Sequence, residues 1–247
     1  MRAVWRSICR KYNEKGLTGV VRALGGWFFY HGFVVPEWFF LHYWYWIIRR
    51  PRLGTFTFQG ETYEYFYHPY NLTWNNERSV EIPIARRFIE QAVGKRVLEA
   101  GNVLSHYFAS THDVVDKYER GRGVINEDII RFTPSQNYDL ILCVSTIEHV
   151  GWHEHQKEPE KMLTALQKMK QMLRSGGTLV VTMPIGENPF LDQCLQSKRL
   201  PFTEVFFLKR ISKDNEWREV RFDEVRDAKY DEPFPFTNAL VIGIMRA

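Results

Sequence analysis

The chain has 247 residues, enough for one large α/β domain or for a domain with a sizeable extension. Its 45% hydrophobic and 25% charged residues are ordinary globular values, which exclude a disordered or fibrous chain. The net charge of +4 is unevenly spread: residues 1–60 carry nine Lys/Arg against two Asp/Glu, and the rest is mildly acidic, which argues against a nucleic-acid groove on the body.

Residues 1–54 form a basic, aromatic-rich extension. Apolar positions such as Val4, Trp5, Ile8 and Leu17 suit short amphipathic helices ending at Gly25-Gly26. The first fifteen residues contain no apolar h-region, so no cleaved secretion signal is expected. Cys9, Cys143 and Cys194 are widely spaced with no zinc spacing, which fits reduced thiols and a cytoplasmic chain. Residues 27–48 are long enough to span a bilayer, but Gly32, Pro36 and Glu37 interrupt them. Three placements stay open for this stretch: a span, a peripheral contact at the inner membrane face, or packing on the body or on a second copy. A membrane-surface contact or a homodimer through residues 1–52 is therefore expected.

Residues 55–75 read as a hairpin around Gln59-Gly60 followed by a polar, aromatic loop that suits a cover for an acceptor. Residues 76–247 make the main domain. Pro83 predicts the first turn of a helix running to Val93, with Gly94 as its stop. Arg96–Ala100 is the first core strand, Asp113–Asp116 the second and Gly123–Asn126 a short third. Tyr138–Ser145 is nearly continuous apolar sequence, as in a central parallel strand covered on both faces. Met162, Leu166, Met169 and Leu173 recur at helical spacing over 159–174, closed by Ser175-Gly176-Gly177. Thr178–Met183 is a further buried strand, and Phe202–Ile211 with Ala239–Met245 form a late antiparallel pair. The order predicts an α/β three-layer α/β/α sandwich on a mostly parallel sheet.

Such a sheet binds its ligands at the carboxyl ends of its strands. No G-x-x-x-x-G-K-[ST] exists, and the turn Gly101-Asn102-Val103-Leu104-Ser105-His106 keeps only the first glycine of G-x-G-x-x-G. A phosphate cradle is thereby dismissed. A nucleoside ligand without phosphates needs one glycine and a carboxylate ending the second strand. Asp116, 17 residues after Glu99, stands there. Ribose binding without phosphate binding points to S-adenosylmethionine.

Here the sequence resembles the class I S-adenosylmethionine-dependent methyltransferases, in their small-molecule, type 11-like form, over roughly residues 76–247. VLEAG ending at Gly101 is similar to the first motif VLDxGxGxG, VVDKYE ending at Glu119 to the second and VINEDI ending at Ile129 to the third. YDLILCVSTIEHV ending at Val150 resembles the fourth, and LRSGGTLVVTMP ending at Pro184 the fifth. The resemblance implies a Rossmann-like, seven-stranded sheet with the last strand antiparallel, and S-adenosyl-L-methionine as cofactor. It implies that Glu99 and Gly101 flank the methionine part, Asp116 holds the ribose diol, Asp128 the adenine amine, and Ser145 lies beside the sulfur. Val103 and Ser105 replace family glycines, and Asn102, Ser105 or His106 would substitute for the lost backbone contacts. Arg78 either pairs with the cofactor carboxylate or makes a surface ion pair.

Methylating a hydroxyl benefits from a base near neutral pH. Glu148–His155 holds three His and two Glu where an acceptor would approach. His149 or His153 as base, a divalent ion and a merely solvated loop all stay open, and no metal is assigned. The expectation is methyl transfer to a small-molecule acceptor, a hydroxyl of a sugar, glycan precursor or lipid-linked intermediate. The contrasting expectation is a degenerate module of the same fold used for binding or assembly.

Overall fold

The computed structural model describes residues 54–154 and 156–247. The extension expected over 1–54, with its membrane or partner contact, falls outside them but for residue 54. Among the described residues no helix is long and apolar enough to cross a membrane.

The hairpin forms where the alternation places it. β1 (Thr55–Phe58) pairs antiparallel with β2 (Glu61–Glu64), Phe58 opposite Glu61. Gln59 and Gly60 take φ of 52° and 74°, the paired left-handed angles of a two-residue turn whose twist matches the strands. Phe56 and Phe58 face inward, and Phe58 meets Phe206 edge-on at 5.5 Å.

α1 (Arg78–Gln91) starts five residues before the position that Pro83 predicts. Proline removes the bond that the carbonyl four residues back would accept. Here the Ser79 carbonyl accepts from the Phe66 N–H instead, at 2.9 Å, so the helix passes through Pro83 and anchors the chain leaving the hairpin.

The main sheet contains β3 (Val97–Ala100), β4 (Asp113–Val115), β5 (Val124–Ile125), β6 (Tyr138–Val144) and β7 (Leu173–Pro184). β8 (Glu204–Arg210), β9 (Trp217–Val220) and β10 (Ala239–Arg246) complete it. Its order is β5-β4-β3-β6-β7-β10-β8-β9. The first five are mutually parallel and β10 runs antiparallel between β7 and β8. The final strand is thus antiparallel as expected, but the sheet has eight strands, not seven. The extra one, β9, is a short charged segment on the edge beside β8, where one face meets solvent and no apolar run is required.

Strand alternation sorts the core into two layers. Leu98, Ile141, Cys143, Leu179 and Val181 face α2 (Lys161–Gln171) and α3 (Pro189–Gln196). Leu140, Leu142, Val180 and Ile242 face α1 and the hairpin. Met162, Leu166 and Met169 are fully buried, each contributing about 1.5–3 kcal/mol. The expected three-layer sandwich is therefore present. One local expectation fails. Ser175-Gly176-Gly177 lies inside β7, not as a helix stop, because the Gly176 N–H and Gly177 carbonyl pair with Ala247. The connection from β3 to β4 carries only a single 3-10 turn, Leu104–His106.

The hairpin does not sit at the carboxyl edge of the sheet. A groove of about 390 Å³ at the amino ends of β6 and β7 is lined by Gln59, Glu61, Arg87, Asp139 and Gly176. Only the loop after the hairpin reaches the other end, where Tyr70 stacks on His106 at 4.6 Å.

Candidate functional site

At the carboxyl ends of β3, β4 and β6 lies a cleft of about 340 Å³, the size of a small-ligand pocket. Val115, Ile129, Cys143, Ile147, Val150 and Met169 make its walls apolar, and Gly101, Asp116, Lys117, Asp128 and Glu154 give its rim polar groups. Gly101 has φ of 90°, and a Cβ there would stand 2.2 Å from Thr146 Oγ1. Only glycine lets the β3 turn pass that close to the end of β6.

Of the residues expected from sequence, Gly101, Asn102, Asp116, Asp128 and His149 line this cleft, whereas Glu99, Ser145, Arg78 and His153 do not. Glu99 alternates onto the α1 side of β3 and is fully buried. Its Oε1 accepts from the N–H groups of Val103 at 2.8 Å and Leu104 at 2.7 Å, and its Oε2 lies 3.0 Å from His112 Nε2. Both oxygens hold the turn in shape, so in this structure Glu99 supports the cleft from behind.

Asp116 is the hub of the open end. Its Oδ1 accepts from the N–H groups of Tyr118 at 2.8 Å and Glu119 at 2.7 Å, and its Oδ2 from the Asn102 N–H at 3.0 Å. Asn102 Nδ2 donates to Glu119 Oε2 at 2.6 Å, Ser105 Oγ donates to Asn102 Oδ1, and His106 Nε2 lies 3.1 Å from Glu119 Oε2. Asn102 and His106 thus tie to Glu119, and Ser105 ties to Asn102. Asp128 accepts from the Ile130 N–H at 3.0 Å and pairs with Lys117 Nζ at 3.0 Å. Lys117 also meets Glu154 at 2.6 Å, and these partners outweigh its partial burial to raise its pKa.

The end formed by β6 and β7 is closed and charged. Arg78 Nη1 meets Glu81 Oε2 at 2.7 Å, with Glu81 fully buried and the Arg78 side chain 13% exposed. Ser145, at φ 34°, donates from Oγ to Glu81 Oε1 at 2.5 Å, and Thr182 Oγ1 donates to the same atom at 2.6 Å. Arg78 is thus not a surface pair: its Nη1 is engaged by a fully buried carboxylate. Burial opposes its charge, but Glu81 and Glu77 outweigh burial and keep it firmly protonated. Glu148 is 1% exposed, its Oε2 has no hydrogen-bond partner, and burial pushes its carboxyl well above the usual range.

Beside Glu148, His149 Nδ1 lies 2.7 Å from His153 Nδ1 and 3.8 Å from Glu187 Oε1. Burial and then His153 hold the His149 imidazole below its ordinary pKa. Burial, followed by Glu77, pushes Glu187 up to about 7. Sequence reading missed Glu187, Glu81, Lys117 and Glu119. Lys117 and Glu119 stand within three residues of Asp116, a signal that was available. Glu187 and Glu81 join the site only through tertiary contacts.

No protein-family model matches the chain, and no curated protein matches it. Solved structures do. The N-methyltransferase NodS from Bradyrhizobium japonicum WM9, in complex with S-adenosyl-L-homocysteine, is 15% identical at a TM-score of 0.40, over 66% of this chain and 87% of NodS. The 1,6-didemethyltoxoflavin-N1-methyltransferase from Burkholderia thailandensis is 14% identical at 0.40, over 68% and 78%. A SAM-dependent methyltransferase from Archaeoglobus fulgidus is 16% identical at 0.40, over 68% and 93%. Likenesses of this order concern the fold, and neither a ligand nor a reaction passes from them to this chain.

Proposed function

We propose that the protein transfers a methyl group from S-adenosyl-L-methionine to a hydroxyl of a small-molecule acceptor such as a sugar, a glycan precursor or a lipid-linked intermediate. The observation that carries this reading is the cleft itself. A one-glycine turn, apolar walls and rim carboxylates on successive strand ends suit an adenosine without phosphates. Asp116 spends three acceptor positions on backbone N–H groups, which fixes its orientation and leaves lone-pair capacity for a ribose hydroxyl. Asp128 stands on the far rim, where an adenine amine would donate.

The bound cofactor supplies an electrophilic methyl on a sulfonium. The chain's own part is alignment and exclusion of water, for which the apolar walls serve. The acceptor oxygen must also lose its proton, and His149, at the cleft with His153 and Glu187 beside it, is placed to receive it. The basic, aromatic segment over 1–52 supports a cytoplasmic protein peripheral to a membrane, or a homodimer, as the setting for a lipid-linked acceptor.

A non-catalytic binding module is the second reading, favoured by one observation: the side chains that would replace the missing glycines are already tied to Glu119 or to one another. Calorimetry with S-adenosylmethionine and its demethylated product separates the two. Binding of both, followed by turnover in a screen of hydroxylated acceptors, supports the enzyme. Absence of binding to well-folded protein rejects it.

A further inference from the structure

Among the described residues, His149, His153 and Glu187 are brought together with one ligand-type atom each, all within 4.8 Å of one another. His149 ends the short turn after β6, His153 follows it by four residues, and Glu187 comes from the loop between β7 and α3. The two Nδ1 atoms are 2.7 Å apart, and His149 Nδ1 is 3.8 Å from Glu187 Oε1. Donors bonded to one ion at about 2.0–2.2 Å lie roughly 3–4.4 Å from each other. The trio needs shifts of only a few tenths of an ångström to meet that spacing.

The two loops are tied together, so the juxtaposition is built into the fold. Asn188, next to Glu187, donates from Nδ2 to the Glu148 carbonyl at 2.7 Å, next to His149. The same Asn188 side chain accepts from the Phe190 and Leu191 N–H groups and so caps α3. On the histidine side, the His153 N–H donates to the His149 carbonyl at 3.1 Å. Gly151 has φ of 72°, and a Cβ there would stand 2.1 Å from the Glu158 carbonyl, so this bend is tightly packed.

A hydrogen bond between the two imidazoles would by itself account for the 2.7 Å contact. It leaves two things without a role: the carboxylate of Glu187 aimed at the same nitrogen, and Glu148 behind the ring. Glu148 Oε1 is 3.8 Å from His149 Nε2, and its Oε2 is buried with no hydrogen-bond partner. A ligand histidine commonly turns its second ring nitrogen toward such a carboxylate, which fixes the ring and strengthens it as a donor.

We propose that His149, His153 and Glu187 form a site for a divalent transition-metal cation, with Glu148 orienting His149 from behind. Two imidazoles and one carboxylate select zinc, iron, cobalt or manganese over calcium and magnesium, which take all-oxygen shells. Three protein ligands leave positions open for water or a ligand atom, and His149 faces the cleft, so those positions adjoin it. This site stands whether or not the methyl-transfer reading holds, and an ion there would occupy imidazole nitrogens that a proton would otherwise take.

The test uses the full chain, stripped with a chelator and titrated with Co²⁺ alone while its visible absorption is followed, then with Zn²⁺ as competitor. One equivalent should bind and produce ligand-field bands that Zn²⁺ abolishes. His149→Gln and His153→Gln should each weaken binding by about tenfold or more and change the bands, and Glu187→Gln should do so too. His68→Gln, on the loop after the hairpin, should leave binding unchanged. His153 is exposed, so its variant keeps the fold, and circular dichroism checks this for all. No bound equivalent, or an equivalent retained by both histidine variants, overturns the proposal. Because no cofactor is present in the titration, its failure is separate from any failure to bind S-adenosylmethionine.

Discussion

The two ends of one sheet edge hold carboxylates in opposite ways. At the β3–β5 end, Asp116 and Asp128 are half-buried, are held in place by backbone N–H groups and remain accessible. At the β6–β7 end, Glu81 is fully buried against Arg78, Ser145 and Thr182, and both its oxygens answer internal side-chain donors. The first arrangement is fit to meet a ligand. The second locks α1 to the ends of β6 and β7 and is expected to matter for folding first.

Substitutions can break that contrast. Glu81→Gln should have the largest effect, because it takes from the buried Arg78 guanidinium the strongest of its charge partners, the one it contacts at 2.7 Å. A loss of about 3–5 kcal/mol in urea unfolding is expected. A loss below 1 kcal/mol, read against the same scale, would mean that the network is solvated.

Gly101→Ala comes next, since it combines a positive φ with the collision against Thr146. It should cost about 1–3 kcal/mol. In the Gly101→Ala/Thr146→Ala double variant, unfolding should show part of that loss recovered, the collision being relieved and the backbone strain retained.

Asp116→Asn should invert the pattern. Unfolding free energy should change by under about 1.5 kcal/mol, while calorimetry with S-adenosylmethionine should show affinity falling about tenfold or more. Equal effects on both readouts would erase the distinction between the two ends.

The smallest effect is a pH slope at Asp192. Burial pushes its carboxyl up to about 6 although both oxygens face the Gly186 N–H. The folded state then holds this proton more tightly than the unfolded chain, whose carboxyl has the ordinary value of 3.8. Stability from this group is present at low pH and is lost as pH rises through about 4 to 6. Melting curves of Asp192→Asn should lack that part of the slope, and an unchanged slope would assign it to another group.

The sheet was legible because its strands advertise themselves. Val97–Ala100, Tyr138–Val144 and Ala239–Arg246 are apolar runs buried on both faces, and no other arrangement shelters them. β9 was not, because a charged four-residue edge strand gains its identity from the neighbour it pairs with. The start of α1 was misread since Pro83 signals a first turn only when no outside donor takes the carbonyl it orphans, and Phe66 takes it. In the candidate site, Gly101, Asn102, Asp116, Asp128 and His149 were placed from sequence at the cleft they line. Glu99 was set on the wrong side, although period-two alternation from Leu98 already turns it toward the α1 layer.

What the sequence determined by itself is the framework: the strand order of apolar segments, the glycine turn after β3 and the carboxylates that close successive strands. These follow from local pattern, because burial on two faces and a left-handed turn constrain residue type directly. What only the tertiary structure decided is which charges face a ligand and which face each other. Glu81 meets Ser145 across 64 residues and Thr182 across 101, and Glu187 reaches His149 from a different loop. A carboxylate's role depends on the donors and the solvent around it, and those are set by chain segments far away in sequence.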